Sequence, residues 1–425
     1  MNNNITKNSY EMRNAILNLI DDPKQLEKLY RDNKSTFRNE FNLIYNDIRD
    51  HKIADFWKER LNYETSELSW GTVNEFIFVI FASLLAGLIA KIPEIAGFDE
   101  EYFYQRNIGF IVFPLLTIFF GWKNNLSNGR IVIASVVTLC AVIFINLLPD
   151  NSLSDTLILS CMHLPLFLWA VLGSTFVGDN LKDLHKRIDF LKYNGDLVVI
   201  SALIVISGGI LTGITIGLFS LINFNIEEFY FKYIVIMGLS AVPIVGTYII
   251  QTNPQLVNKV SPLIAKIFSP LVLVTLIIYL IAMIYSGKDP YNDREFLVIF
   301  NALLIGVMAI ILFSVAGTSK TERTRAESVI LFTLSVVTII VNSIALSAIL
   351  FRISEWGITP NRMAVLGGNI LILGNLLRVS YRLFRSIKQA DQIELVEKSI
   401  ASYLPVYAIW TIIVIFIFPF VFGFR

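Results

Sequence analysis

From about Asn74 to Phe422, apolar stretches long enough to cross a bilayer alternate with short polar loops. Hydrocarbon offers a backbone no hydrogen-bond partner, so such stretches must satisfy their own N–H and C=O groups, as helices do. The chain is 55% hydrophobic and 16% charged, against roughly 25% charged in soluble domains. The expected fold is therefore all-α: a polytopic transmembrane helical bundle of about eleven spans over residues 73–425, behind a small cytosolic helical unit over residues 1–72.

The expected spans are Asn74–Ile92, Ile108–Trp122, Ile131–Leu148, Thr156–Val177, Leu197–Ile222, Tyr233–Ile250, Pro270–Tyr285, Phe296–Ala316, Ser328–Leu350, Met363–Val379 and Leu404–Phe422. The second is short and contains Pro114, and the sixth contains Pro243, which should kink it. Before them, Asp22 reads as a helix N-cap with Pro23 at the first helical position. Three apolar stripes follow: Leu26, Leu29 and Tyr30; Phe37, Phe41, Ile44, Tyr45 and Ile48; then Phe56, Trp57 and Leu61. They read as short amphipathic helices.

Lysine and arginine set the orientation. With the N-terminus inside, inner loops carry fifteen: Lys123, Arg130, Lys182, Lys186, Arg187, Lys192, Lys259, Lys266, Lys320, Arg323, Arg325, Arg382, Arg385, Lys388 and Lys398. Outer loops carry six: Arg106, Lys232, Lys288, Arg294, Arg352 and Arg362. Without the short second span this alternation fails. An odd number of spans places the C-terminus outside. Residues 380–402 are polar yet periodic, with Leu383, Ile387 and Ala390 on one face, and read as an amphipathic cytosolic helix near the bilayer surface. Arg378, Arg382 and Arg385 beside it could meet anionic lipid head groups.

Several features could carry function. Gly209, Gly213 and Gly217, spaced by four, form a glycine face for close helix packing, within the bundle or as a homo-oligomer seam, or for a flexing transport helix. His163, Asn342, Asn369 and Asn375 are polar groups inside spans, and Asn342 and Asn369 are candidate ligand contacts on a polar path through the ninth and tenth spans. No Asp or Glu lies in the middle of an expected span, which argues against a carboxylate-coupled carrier. The outer loops Gly287–Glu295 and Arg352–Arg362 offer Arg294, Arg352, Glu355 and Arg362 as candidate binding groups.

Other chemistries are not suggested. There is no phosphate-binding loop, zinc-binding His-Glu-x-x-His or nucleophile elbow. Cys140 and Cys161 sit in apolar runs, so no metal or cofactor is implied. A net charge of +1 argues against nucleic acid. The first residues show no cleavable signal peptide, so the first span is expected to act as its own insertion signal.

Three segments carry a resemblance: Phe268–Leu276, Asp289–Phe296 and the loop Trp356-Gly357-Ile358-Thr359-Pro360-Asn361-Arg362. They resemble a bacterial family of polytopic membrane proteins known only as a domain of unknown function, over roughly residues 74–425. Its usual loop reads aromatic-Gly-Leu-Thr-x-Asn-Arg, so Trp356 and Ile358 are variants. The resemblance implies a bacterial inner-membrane location and no activity. Three functions are then carried: a permease or channel for a small molecule, lipid or envelope precursor; a non-catalytic membrane scaffold or sensor; and a membrane-embedded enzyme acting on lipid or glycan at the outer face.

Overall fold

A computed structural model describes residues 12–32, 34–49, 51–63, 70–151, 153–257, 260–286, 291, 294–317, 325–388 and 393–425. Every regular element among these residues is a helix. The chain divides into two compact units, residues 1–69 and 70–425.

The first unit holds α1 (12–19), α2 (Pro23–Asp32), α3 (Lys34–Ile48) and α4 (Lys52–Tyr63). Asp22 caps α2 as expected: its Oδ1 accepts from the backbone N–H groups of Lys24 and Gln25. The stripes meet in one core in which Tyr30, Phe37 and Trp57 stack edge to face or tilted, with centroids 5.2–5.4 Å apart. Phe56 departs from expectation. It is exposed, because Ala54, Trp57 and Leu61 form the buried face of α4.

The second unit is a bundle of long helices: α5 (Val73–Ala90), the short α6 (Ile92–Ala96), α7 (Glu100–Lys123), α8 (Asn128–Leu147), α9 (Asp155–Val177), α10 (Leu184–Leu221), α11 (Glu227–Thr252), the short α12 (Pro254–Val257), α13 (Val260–Ser286), α14 (Arg294–Gly317), α15 (Arg325–Trp356), α16 (Pro360–Lys388) and α17 (Glu394–Val421). Among the described residues nine of these helices are long and apolar enough to cross a membrane, and two more, α13 and α14, contain shorter apolar stretches. All eleven match expected spans, and the many large apolar side chains left exposed along them suit a hydrocarbon solvent.

Caps fix the helix starts. Thr72 and Glu75 form a reciprocal capping box on α5, and the Asp99, Ser154 and Asp183 side chains cap α7, α9 and α10. Neither Pro114 nor Pro243 ends its helix. Each of α11 and α17 contains a π-helical stretch, Tyr230–Val235 and Ile413–Ile417. Such a stretch frees a backbone carbonyl, and Ile415 O accepts from Ser160 Oγ of α9 at 3.2 Å. Ser154 Oγ and Thr156 N bind the carbonyls of Phe424 and Arg425 at 3.0 and 2.9 Å, so α17 closes back onto α9.

Two large apolar cores run through the bundle, beside a smaller one at α7–α9 and another at the end of α17. One joins α5, α7, α9, α10 and α11; the other joins α10 and α13–α17. The described parts of residues 380–402 belong to two helices rather than one. Their first part is the end of α16 and their last part the start of α17, with 389–392 outside the described residues. The apolar stripe is spent inside the protein: Leu383, Val396 and Ile400 are at most 1% exposed in the second core. Ala390 lies outside the described residues.

Candidate functional site

α15, α16 and α17 pack side by side, and the polar residues expected to line a path are at their contact. The buried stripe of α15 carries Ser328, Ser335, Thr338, Asn342 and Arg352 among its apolar members. Asn342 is 0% exposed, Asn369 2% and Asn375 1%. Asn342 Nδ2 donates to the Asn369 carbonyl at 3.1 Å, which braces α15 against α16. Asn375 Nδ2 donates to Tyr407 Oη of α17 at 3.0 Å and approaches Met308 Sδ of α14 at 3.9 Å. One polar atom of each asparagine has no hydrogen-bond partner in the protein: Asn342 Oδ1, Asn369 Nδ2 and Asn375 Oδ1. Leaving such a group unmatched in a core costs about 1–3 kcal/mol.

The second candidate set, at the ends of α13–α16, is structural in its geometry. In the loop Trp356–Arg362, Gly357 takes φ 77° and its N–H bonds Ile353 O at 2.9 Å, ending α15. Thr359 Oγ1 accepts from the Arg362 N–H at 3.3 Å, and Pro360 opens α16. Arg362 Nη1 then reaches back to the carbonyls of Trp356 and Gly357, both at 2.7 Å. Residues 356–362 therefore read as a stop, a turn, a start and a clamp. Arg352 is 8% exposed and donates through Nε to Tyr291 O at 2.9 Å. Both guanidinium groups lie 5.6–5.7 Å from the Trp356 ring. Glu355 is exposed. The Arg294 side chain, Lys288, Asn292 and Asp293 lie outside the described residues.

The glycine face does not pack within the bundle. A Cβ at Gly209, Gly213 or Gly217 would meet nothing within 4 Å, because the second half of α10 is exposed along this face. Intramolecular packing falls instead to Gly367, which receives the Trp410 ring, and Gly374, where a Cβ would meet Tyr403 Oη at 2.9 Å. Gly87, Gly109 and Gly173 likewise receive side chains of neighbouring helices. No carboxylate was expected in the middle of a span, and one lies just outside an expected span yet inside a helix. Asp196 falls one residue before the expected fifth span, but α10 begins at Leu184, and Asp196 within it is 4% exposed.

Polar residues that hydropathy passed over brace the α7–α8 contact and the short α6. Arg106 is in the second turn of α7, its side chain 0% exposed, and forks onto the α8 terminus: Nη1 donates to Ile145 O at 2.7 Å and Leu148 O at 3.2 Å, and Nη2 to Asp150 at 3.1 Å. Beside it, Asn107 and Asn146 exchange two amide hydrogen bonds of 3.0 and 2.9 Å. Glu94, between the first two spans, accepts from Lys91 at 2.5 Å, Tyr233 at 2.7 Å and Lys232 at 3.0 Å. The Lys91 hydrogen bond above all, then that from Tyr233, holds the Glu94 carboxyl down to about 2. In the sequence Lys91 and Asn146 stand inside expected spans, while Arg106 and Lys232 fall in expected outer loops, and nothing there marks them as partners.

The remaining candidates have local partners. His163 Nδ1 is 2.8 Å from Leu159 O of its own helix. Arg378 donates to Ser402 Oγ at 3.3 Å, and Arg382 and Arg385 lie over the Tyr381 ring. Among the described residues no group of three or more His, Cys, Asp or Glu is placed to hold a metal ion. No protein-family model, curated protein or solved structure matches the chain.

Proposed function

We propose that this integral membrane protein is permease- or channel-like, and that small hydrogen-bonding solutes pass along the contact of α15, α16 and α17. The observation that supports this is the set of three asparagines, all at most 2% exposed, each with one polar atom unmatched within the protein. A bundle selected for packing alone would be more stable with apolar side chains there. A path for polar molecules needs donors and acceptors free to exchange partners.

The proposal also places the protein in a bacterial inner membrane, with the N-terminus cytoplasmic and the C-terminus outside. The excess of lysine and arginine on one set of loops and the resemblance of the Trp356–Arg362 loop support that. Anionic head groups at the cytoplasmic end would then meet Arg378, Arg382 and Arg385.

The second reading, a scaffold or sensor, draws on a different observation. Residues 12–63 bury a core of their own, built on Ile16, Phe37, Phe41 and Leu61, each at most 1% exposed. The enzyme reading draws little support, since Arg352 and Arg362 are engaged on backbone carbonyls and Glu355 stands exposed.

Proteoliposomes separate the first two readings. With glycerol and urea as probe solutes, stopped-flow light scattering should show entry well above protein-free vesicles. Asn369→Leu should bring entry close to the protein-free rate while thermal unfolding stays within about 1 kcal/mol of the parent, because an unmatched amide is removed. Wild-type vesicles no faster than empty ones, or unchanged entry through Asn369→Leu, would contradict the proposal.

A further inference from the structure

Between α7 and α8 the bundle opens into a groove of about 690 Å³. Tyr102 near the start of α7 and the bonded pair Asn107 and Asn146, the latter near the end of α8, make one end polar. Farther along, Thr117, Ser135 and Thr138 are the hydroxyl residues of the lining, and the Thr138 hydroxyl is spent on Ala134 O of its own helix. The rest of the lining is mainly apolar, from Phe110 and Val142 down to Ile118 and Ala134. Ile118 lies eleven residues beyond Asn107, and Ala134 twelve before Asn146. At 1.5 Å per residue the groove therefore runs roughly 16–18 Å from the amides. That is about half of a ~30 Å hydrocarbon core, the depth of one leaflet. A small polar solute would find few partners along it; an acyl chain finds a matching wall.

The rim at the amide end is acidic. Asp99, Glu100, Glu101 and Asp150 are all exposed there. The cations nearby are already committed: Arg106 to two carbonyls and Asp150, and Lys91 and Lys232 to Glu94. A head group that brings a second net negative charge would be repelled, and one that brings an ammonium would be attracted. The Oδ1 atoms of Asn107 and Asn146 each accept one bond within the pair and keep a second lone pair.

We propose that this groove binds one acyl chain of an amine-bearing zwitterionic phospholipid, with the amine toward Glu100 and Glu101 and the glycerol region beside Asn107 and Asn146. The site is separate from the asparagines of α15 and α16, and its fate is independent of the transport reading. The full-length protein, purified in detergent, is delipidated and titrated with phosphatidylethanolamine or phosphatidylglycerol of identical chains, and bound lipid is counted by native mass spectrometry. Phosphatidylethanolamine should bind about tenfold more tightly, the scale of one or two charges near a membrane surface.

Leu139→Trp, which fills the groove from an exposed wall position, should remove that binding. Leu211→Trp on the exposed face of α10 should leave it unchanged. Combined Glu100→Gln and Glu101→Gln should keep lipid bound and erase the preference, and this variant carries the test if Leu139→Trp does not fold. Equal binding of both lipids, tighter binding of phosphatidylglycerol, or binding that survives a folded Leu139→Trp variant would overturn the proposal.

Discussion

Gly367→Ala is expected to destabilise the bundle by at least about 1–3 kcal/mol, the usual penalty for overfilling a packed core. A Cβ at this position overlaps the indole ring of Trp410. The ring has little room to retreat, since it packs edge-on against Phe418, centroids 5.9 Å apart, in the small core that also holds Leu159, Ala364 and Val414. Thermal unfolding in detergent, followed by circular dichroism, reads the loss. Adding Trp410→Leu to Gly367→Ala should restore most of it, which ties the effect to that one contact. Gly213→Ala should move the other way. Its Cβ enters open space, and alanine is favoured over glycine in a helix by about 1 kcal/mol. Equal losses at both sites would show that neither assignment is right.

Arg106→Leu should cost about 3 kcal/mol. The guanidinium donates to two carbonyls at the end of α8, and hydrogen bonds to charged groups are worth about 1.5–3 kcal/mol each without being additive. With the side chain 0% exposed, water cannot take over those carbonyls. Arg106→Lys should recover less than half, because an ammonium cannot fork across two acceptors and a carboxylate. Asp150→Asn should shift stability by no more than about 1 kcal/mol, since its side chain is 74% exposed and the pair is screened on that side. A full recovery by lysine would point to charge alone, and would contradict the geometric role.

Hydropathy made the number of spans legible, because the exposed surface of each helix is what the solvent selects. It did not make the helix lengths legible. α7 starts at Glu100, eight residues before the expected Ile108; α10 starts thirteen before Leu197; α16 runs nine past Val379. In each case the extra turns are polar or amphipathic and are held by a cap or by packing, neither of which a hydropathy average registers. Arg106 was thereby read as a loop residue and Asp196 fell one residue outside its span, although both are buried within helices.

The glycine repeat did not show where it packs, for a related reason. Spacing says that a neighbour could approach, not that one is there. Gly209, Gly213 and Gly217 face open space, while Gly367 and Gly374, seven apart and opposite aromatic residues of α17, do the packing. The polar core was legible as residue types, since amides inside apolar runs must find partners within the bundle. That Asn342 bonds the carbonyl of Asn369, while Asn375 reaches Tyr407, depends on helix rotation and could not be read from one sequence. The Trp356–Arg362 loop was legible as a motif but not as a clamp, because its arginine acts on carbonyls that a sequence does not mark.

The central claim is that the chain threads a membrane eleven times with its basic loops on the cytoplasmic side. Cysteine labelling tests it most directly. With Cys140 and Cys161 replaced by alanine, Asn361→Cys, in the first turn of α16, and Asn180→Cys, in the α9–α10 loop, are treated in intact cells with a membrane-impermeant maleimide. The threading predicts that position 361 reacts at once and position 180 only after lysis. Labelling of both in intact cells, or of position 180 alone, would contradict it.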